Sequence, residues 1–169
     1  MKKSILIPLI AVLVVVGYFY YSNQINVRLI VPSADYKKAE YIISGQKTKL
    51  GDGVFTYFGN EVKTDLNKDG RMDTAFLITQ KKSDGALWYF LVGALNTADG
   101  YVGTQGVLIG DRISPQSTNM NTQAGKEDQI VVNYAVGSNP SVGKSLWLKY
   151  DAKDKSFGEV VQNFEGETR

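Results

Sequence analysis

The sequence contains neither histidine nor cysteine among its 169 residues. Without histidine there is no imidazole base, and without cysteine there is no thiolate nucleophile, no disulfide and no cysteine-ligated zinc site. Nucleophilic pairs of the Ser-His or Cys-His kind are therefore excluded, and a bound metal must take its ligands from oxygen atoms.

The sequence also lacks a surplus of charge beyond its first three residues. It has 19 Lys and Arg residues against 17 Asp and Glu residues, and two of the lysines, Lys2 and Lys3, precede the first apolar segment. The rest of the chain therefore carries 17 charges of each sign, without a basic run. Such a neutral chain gives no reason to expect nucleic acid as a partner.

One long hydrophobic segment is present, and it lies close to the first residue. Residues 4–21 are uncharged and mostly apolar, and as a helix they would be about 27 Å long, enough to cross a hydrocarbon core. Lys2 and Lys3 predict that the start of the chain stays in the cytoplasm. A cleaved signal peptide and a buried helix are the alternatives, although bulky aromatic residues stand where a cleavage site needs small ones.

These features divide the chain into three parts. Residues 1–22 are predicted to be a membrane anchor or signal segment, residues 23–40 a linker with a short helical turn capped by Ser33, and residues 41–169 an extracytoplasmic β domain. The predicted location is the cell membrane, in single-pass form with the C-terminal domain outside; secretion after cleavage is the alternative.

Beyond residue 40 the sequence alternates between short strand-like runs and turn residues. The runs are rich in β-branched and aromatic residues and lie at 41–44, 46–50, 54–58, 74–79, 87–92, 102–109, 129–134, 146–150 and 157–161. Asp-Gly pairs stand between runs at 52–53, 69–70, 84–85 and 99–100, a dipeptide that favours β-hairpins. The sequence therefore predicts a mainly β fold, either one antiparallel β sandwich or a partly closed barrel, after one N-terminal transmembrane helix.

The segment 65–73 is the one motif with evident chemistry, because it has the pattern D-x-N-x-D-G-x-x-D. Its candidate calcium ligands are the side chains of Asp65, Asn67, Asp69 and Asp73 and the carbonyl of Arg71. Gly70 permits the sharp turn, and oxygen-only ligands suit calcium. Phe76 stands where an EF-hand needs a bidentate Glu, so the loop is not an EF-hand. A solvated hairpin turn is the alternative, and Glu61 is either an extra ligand or a surface charge.

Two resemblances follow from these residues. Residues 65–78 resemble the calcium loop and following strand of FG-GAP-type repeats, which implies side-chain ligands at Asp65, Asn67, Asp69 and Asp73 and a carbonyl ligand at Arg71. A propeller needs at least four blades, so a single loop does not predict one. More widely, segments 41–47, 57–61, 65–73, 75–80, 110–116, 130–134 and 140–143 resemble an uncharacterised family of small exported bacterial proteins. That resemblance implies a bacterial exported module and no particular activity.

Three weaker signals have structural explanations beside the functional ones. Gly143-Lys144-Ser145 imitates a phosphate-binding loop, but Ser138 stands where the pattern needs glycine and a strand-like run follows. Asp111 next to Arg112 is either an ion pair or an active-site acid. Trp88 and Trp147, like Tyr89, Phe90 and Tyr134, serve either core packing or a sugar-stacking surface.

The function predicted from these observations is a membrane-anchored, extracytoplasmic, calcium-binding β domain. It would have a binding or structural role in the cell envelope, with an envelope protein or a glycan as partner. The alternative is a carboxylate-dependent envelope hydrolase, which would require Asp111 or Glu61 to converge with another carboxylate in a deep pocket. No catalytic residue is predicted.

Overall fold

The structure, a computed structural model, describes residues 32–137 and 141–161. The predictions for residues 1–22, and for the linker as far as residue 31, lie outside these residues. Within the described part of the chain, no helix has the length and apolar character needed to cross a membrane.

The described residues form eleven strands and one short 3-10 turn at Tyr36–Lys38. The strands are β1 (Glu40–Ile43), β2 (Gln46–Lys49), β3 (Phe55–Thr64), β4 (Asp73–Lys81), β5 (Leu87–Thr97), β6 (Gly100–Gly103), β7 (Val107–Asp111), β8 (Ile113–Met120), β9 (Gln129–Val136), β10 (Val142–Asp151) and β11 (Ser156–Glu159).

The strands form two sheets and one separate hairpin, and all their pairings are antiparallel. The five-stranded sheet runs β3-β4-β5-β6, with β7 paired to another part of β5. The four-stranded sheet runs β11-β10-β9-β8, and β1 pairs with β2. The predicted mainly antiparallel β fold is confirmed, and the described strands do not close into a barrel.

The main core lies where the two sheets face each other. Alternate residues of the five-stranded sheet, such as Leu77 and Leu91, are completely buried against Ile130, Val132 and Leu148 of the four-stranded sheet. Because successive side chains of a strand point to opposite faces, this alternation gives each sheet one apolar inner face.

A second core covers the opposite face of the five-stranded sheet. There Phe76 and Phe90 pack with Tyr41 and Ile43 of the β1–β2 hairpin. The hairpin lies very close to β6: a Cβ atom added to Gly103 would be 2.1 Å from the carbonyl oxygen of Glu40. Strand β4 is therefore buried on both faces, from Asp73 to Thr79.

The Asp-Gly pairs mark turns as predicted. Those at 69–70, 84–85 and 99–100 join consecutive paired strands of the five-stranded sheet, and the pair at 52–53 connects the β1–β2 hairpin to that sheet. In the turn before β3, the Asp52 carboxylate accepts hydrogen bonds from the backbone N–H groups of Val54, at 2.9 Å, and Phe55, at 2.7 Å.

Some local predictions were wrong. The helical turn is capped by Asp35, whose carboxylate accepts from the N–H of Lys37 at 2.9 Å; Ser33 instead pairs through its backbone with Tyr101. The run 102–109 is two strands, because the chain turns between β6 and β7 at residues 104–106 to pair with the hairpin. Strand β3 continues to Thr64, and β8 was not predicted at all because its exposed face is polar.

Candidate metal centre

The predicted calcium loop connects β3 to β4 at one end of the five-stranded sheet. Thr64, the last residue of β3, pairs directly with Asp73, the first residue of β4. Strands thus flank the loop on both sides, and the strand after it was predicted from the sequence. Residues 65–72 form the loop that connects the two strands.

The first carboxylate of the loop binds the loop's own backbone. Asp65 accepts hydrogen bonds from the N–H of Asp69, at 3.0 Å, and from the N–H of Gly70, at 2.7 Å. The positive φ angles of Lys68 (61°) and Gly70 (85°) bend the chain back over this carboxylate. Asp65 therefore lies inside the turn, as the motif requires.

The next polar side chains also turn toward the loop. Asn67 Oδ1 accepts from the N–H of Asp69 at 3.1 Å, and Asp69 Oδ1 accepts from the N–H of Arg71 at 2.9 Å. Asp69 Oδ2 additionally lies 3.3 Å from the Arg71 guanidinium and 3.1 Å from Asn67 Nδ2. The backbone hydrogen bond from Arg71 is the main reason that the pKa of Asp69 is lowered.

Asp73 closes the loop and is completely buried. Its Oδ2 accepts from the N–H of Leu66 at 2.9 Å, and its Oδ1 accepts from the N–H of Asn96 in β5 at 2.7 Å. Desolvation raises the pKa of Asp73, the nearby Asp69 charge adds to that rise, and the two amide hydrogen bonds partly oppose it. A buried carboxylate therefore lies at the base of the loop.

The donor set fits a hard cation better than a soft one, because it consists of carboxylate and amide oxygens and backbone carbonyls. Within residues 32–137 and 141–161, no three Asp or Glu side chains lie close enough together to hold a metal ion by themselves. A calcium site here would therefore need further oxygen ligands, for which Asn67 and the Arg71 carbonyl are the predicted candidates.

Glu61 does not join this loop. Its Oε1 accepts hydrogen bonds from the hydroxyls of both Tyr36 and Tyr57, and Lys37 Nζ lies 4.0 Å from the Tyr57 ring centroid. Desolvation raises the pKa of Glu61, but the two phenol hydrogen bonds and the charges of Lys37 and Lys63 outweigh it, so the pKa is lowered. Glu61 therefore fastens the 3-10 turn to β3. Tyr36 and Glu61 are 25 positions apart in sequence, so no local sequence pattern predicts this contact.

A small cleft of about 130 Å³ lies beside the loop, and its lining includes Asp65, Asn67, Asp128 and Lys149. Two of these lining residues form an ion pair, with Lys149 Nζ 2.6 Å from Asp128 Oδ2. Tyr150 also lines the cleft. Its buried hydroxyl has no hydrogen-bond partner among the described residues. Desolvation and then the Asp73 charge raise the pKa of Tyr150 to about 12.

The remaining candidates have structural roles in this fold. The exposed Asp111 Oδ2 pairs with Arg112 Nη2 at 3.0 Å, which is the ion-pair interpretation. Gly143-Lys144-Ser145 lies inside β10, so no helix follows it as a phosphate-binding loop requires. Among the described residues, Asp111 and Glu61 thus bind an arginine and two tyrosines, respectively, and not a second carboxylate.

The two tryptophans lie in different surroundings, and both are partly exposed. Trp88 packs against the second core, with Lys82 Nζ 4.1 Å from its ring centroid. Trp147 belongs to neither of the two apolar cores of the described chain. It lies on β10 between Leu146 and Leu148, which point into the main core.

Comparison of the chain with known protein families found no match, and comparisons with curated proteins and with solved structures found none either. The resemblances to FG-GAP loops and to exported bacterial proteins therefore stay predictions that rest on the residues quoted for them.

Proposed function

We propose that this chain is a calcium-binding β sandwich, held outside a membrane by residues 4–21, with a binding or structural role in the cell envelope. The observation that supports it best is the buried carboxylate of Asp73 at the base of a loop in which the Asp65 carboxylate accepts hydrogen bonds from the loop's own backbone. A divalent cation would relieve the desolvation of Asp73 and the repulsion between it and Asp69.

Calcium bound here would stabilise the loop and the strand pairing next to it. Asp65, Asn67, Asp69 and Asp73 would supply side-chain oxygens and Arg71 its carbonyl. Because Asp73 also binds the N–H of Asn96, an ordered loop would fix the start of β4 against β5. Calcium would therefore have a structural effect, the ordering of one end of the five-stranded sheet, in a compartment where millimolar calcium is common.

Thermal unfolding of the full chain in detergent, with calcium and with chelator, tests this proposal. Calcium at about 100 times its dissociation constant adds about 2.7 kcal/mol, a rise of roughly 5–10 °C for a domain of this size. We expect the rise with calcium and a smaller one with magnesium, whose stricter octahedral demand suits the loop less well.

A matched pair of double variants assigns the effect to the loop. Asp65→Ala with Asp69→Ala removes two loop carboxylates, whereas Asp84→Ala with Asp99→Ala removes two from other Asp-Gly turns of the same sheet. The calcium-dependent rise must vanish only in the first pair. No rise at millimolar calcium, or an equal loss in both pairs, would reduce the loop to an ordinary turn.

A further inference from the structure

The side chain of Tyr150 packs in the main core, but its hydroxyl group has nothing to bond. Tyr150 is 8 % exposed, and the centroid of its ring lies 5.3 Å from that of Phe157. The hydroxyl oxygen is buried and has no hydrogen-bond partner among the described residues. Because a buried polar group without a partner costs free energy, folded proteins rarely leave one unpaired. This hydroxyl therefore calls for a partner in another state of the protein.

Tyr150 lies beside the candidate calcium loop, although it belongs to the other sheet. It is a residue of β10 in the four-stranded sheet, and it lines the same cleft as Asp65 and Asn67 of the loop. Desolvation, and after it the charge of Asp73, raises the pKa of the phenol. Tyr150 is therefore within electrostatic reach of the buried carboxylate at the base of the loop.

The Asp73 carboxylate is a better partner for this hydroxyl than solvent in the cleft. The hydroxyl oxygen is buried, although other atoms of Tyr150 line the cleft, so solvent there does not reach it. The two Asp73 oxygens each accept one backbone N–H, from Leu66 and from Asn96. Since a carboxylate has about four acceptor positions, about two remain, one for a cation and one for a further donor.

A bound cation would explain why the protein keeps both groups incompletely paired. Calcium takes carboxylate oxygens as ligands, and a ligating carboxylate must be ionised. Hydrogen bonds to ligating carboxylates orient them and tune the affinity of a metal site. A phenol keeps its proton at neutral pH, so the Tyr150 hydroxyl is a donor that adds no charge of its own to the site.

We propose that Tyr150 is a positioning residue of the calcium site, whose hydroxyl donates a hydrogen bond to the Asp73 carboxylate when calcium occupies the loop. The inference rests on the calcium binding proposed above and extends it, because it adds a residue of the four-stranded sheet to a site predicted from segment 65–73 alone. Calcium bound at one end of the five-stranded sheet would then also fasten β10 against β4.

Tyr150→Phe removes the hydroxyl and keeps the ring, which makes it a direct test on the full chain in detergent. In chelator it should unfold at the urea concentration of the wild type or at a higher one, because the lost group had no partner. The calcium dissociation constant follows from the rise of the unfolding temperature with calcium concentration. It should increase about tenfold, the effect of one hydrogen bond to a charged group.

Tyr134→Phe is the matched control. Tyr134 packs against the same core from the same sheet, and it does not line the cleft. Its variant should keep the calcium affinity of the wild type. Infrared difference spectra with calcium and with chelator give a second readout, because the C–O stretch of a tyrosine shifts when its hydroxyl becomes a donor. The shift should appear in the wild type and in Tyr134→Phe and be absent from Tyr150→Phe.

Four results would overturn the role of Tyr150. These are a loss of stability of Tyr150→Phe in chelator, an unchanged calcium dissociation constant, an equal change in Tyr134→Phe, and no infrared shift in the wild type. The calcium site itself stands if Tyr150→Phe keeps the full calcium-dependent rise of the unfolding temperature. If the wild type shows no such rise, the calcium site and the role of Tyr150 both fail.

Discussion

Asp73 is the residue whose environment constrains the loop most. It is completely buried, yet no cationic side chain pairs with it among the described hydrogen bonds and ion pairs; two backbone N–H groups do so instead. Desolvation holds its pKa above the ordinary value, so the native state binds a proton more readily than the unfolded state does. The stability of the metal-free protein therefore falls as the pH rises from the ordinary pKa of an aspartate through the raised pKa of Asp73 in the folded state.

Asp73→Asn should destabilise the protein even in chelator. Both carboxylate oxygens accept N–H groups, so an amide at this position turns one acceptor into a donor that faces another donor. The expected loss is about 1–3 kcal/mol, the cost of an unsatisfied buried group. Urea unfolding in chelator measures it, with Asp84→Asn in an exposed turn as the control. Equal stability of wild type and Asp73→Asn would contradict this account of the buried carboxylate.

The pKa of Glu61 is lowered, whereas that of Asp73 is raised. Its lowered folded pKa means that its contribution to stability is present above its ordinary value of 4.5 and is lost as the pH falls through the folded value. Glu61→Gln should therefore cost about 1 kcal/mol at pH 7, a charged hydrogen bond discounted for exposure. The difference from wild type should shrink below about pH 4.5.

The pH series needs urea unfolding of Glu61→Gln and of the control Glu127→Gln, an exposed carboxylate in the turn before β9. A difference between wild type and Glu61→Gln that stays constant down to pH 3 would show that the phenol hydrogen bonds do not depend on the charge. This cluster could not be predicted from the sequence, because Tyr36 and Glu61 meet only through the packing of the 3-10 turn on β3.

The presence of most strands could be predicted from their composition. The residues at which strands begin and end depend on contacts between residues far apart in sequence. β4 and β5 were predicted because both are long apolar runs, and their turns because Asp-Gly permits a tight bend. β8 was not predicted because residues 114–119 are mostly polar, and a half-exposed strand with few apolar residues has no distinctive sequence pattern. The candidate calcium loop could be predicted because its residues are contiguous in sequence.

The β1–β2 hairpin depends on a close approach to the five-stranded sheet. A Cβ atom at Gly103 would lie 2.1 Å from Glu40 O and 2.7 Å from Tyr41 Cδ1. Gly103→Ala must therefore push the hairpin away or shift β6, at a cost of about 1–3 kcal/mol or more. Gly143→Ala is the matched control, since no atom lies within 4 Å of a Cβ atom there.

Chemical unfolding of the two glycine variants measures that cost. Hydrogen exchange then identifies its origin, because a detached hairpin should lose protection at the amides of Ile42 and Gly106, which bond across the junction. If Gly103→Ala unfolded at the same urea concentration as Gly143→Ala, the tight junction would not contribute to stability.

For the molecule as a whole, the balance of charge and the apolar segment favour a membrane-anchored chain over a nucleic-acid-binding one. Beyond the first three residues the two signs of charge are equal in number, so neither nucleic acid nor an anionic surface is favoured by net charge. Attachment to a membrane would then depend on residues 4–21, and orientation on Lys2 and Lys3.

The orientation can be tested with a reporter tag after residue 169. The full chain should sediment with membranes, and protease added outside should remove the tag, whereas deletion of residues 2–22 should leave the chain inside the cell. Lys2→Glu with Lys3→Glu should lower the fraction of chains whose tag is outside, because the positive charges no longer retain the first residues. Arg28→Glu with Lys38→Glu changes the charge equally on the other side of the segment and is the control. A soluble, shortened chain outside the membrane would show a cleaved signal peptide instead, and a full-length chain left in the cytoplasm would contradict export altogether.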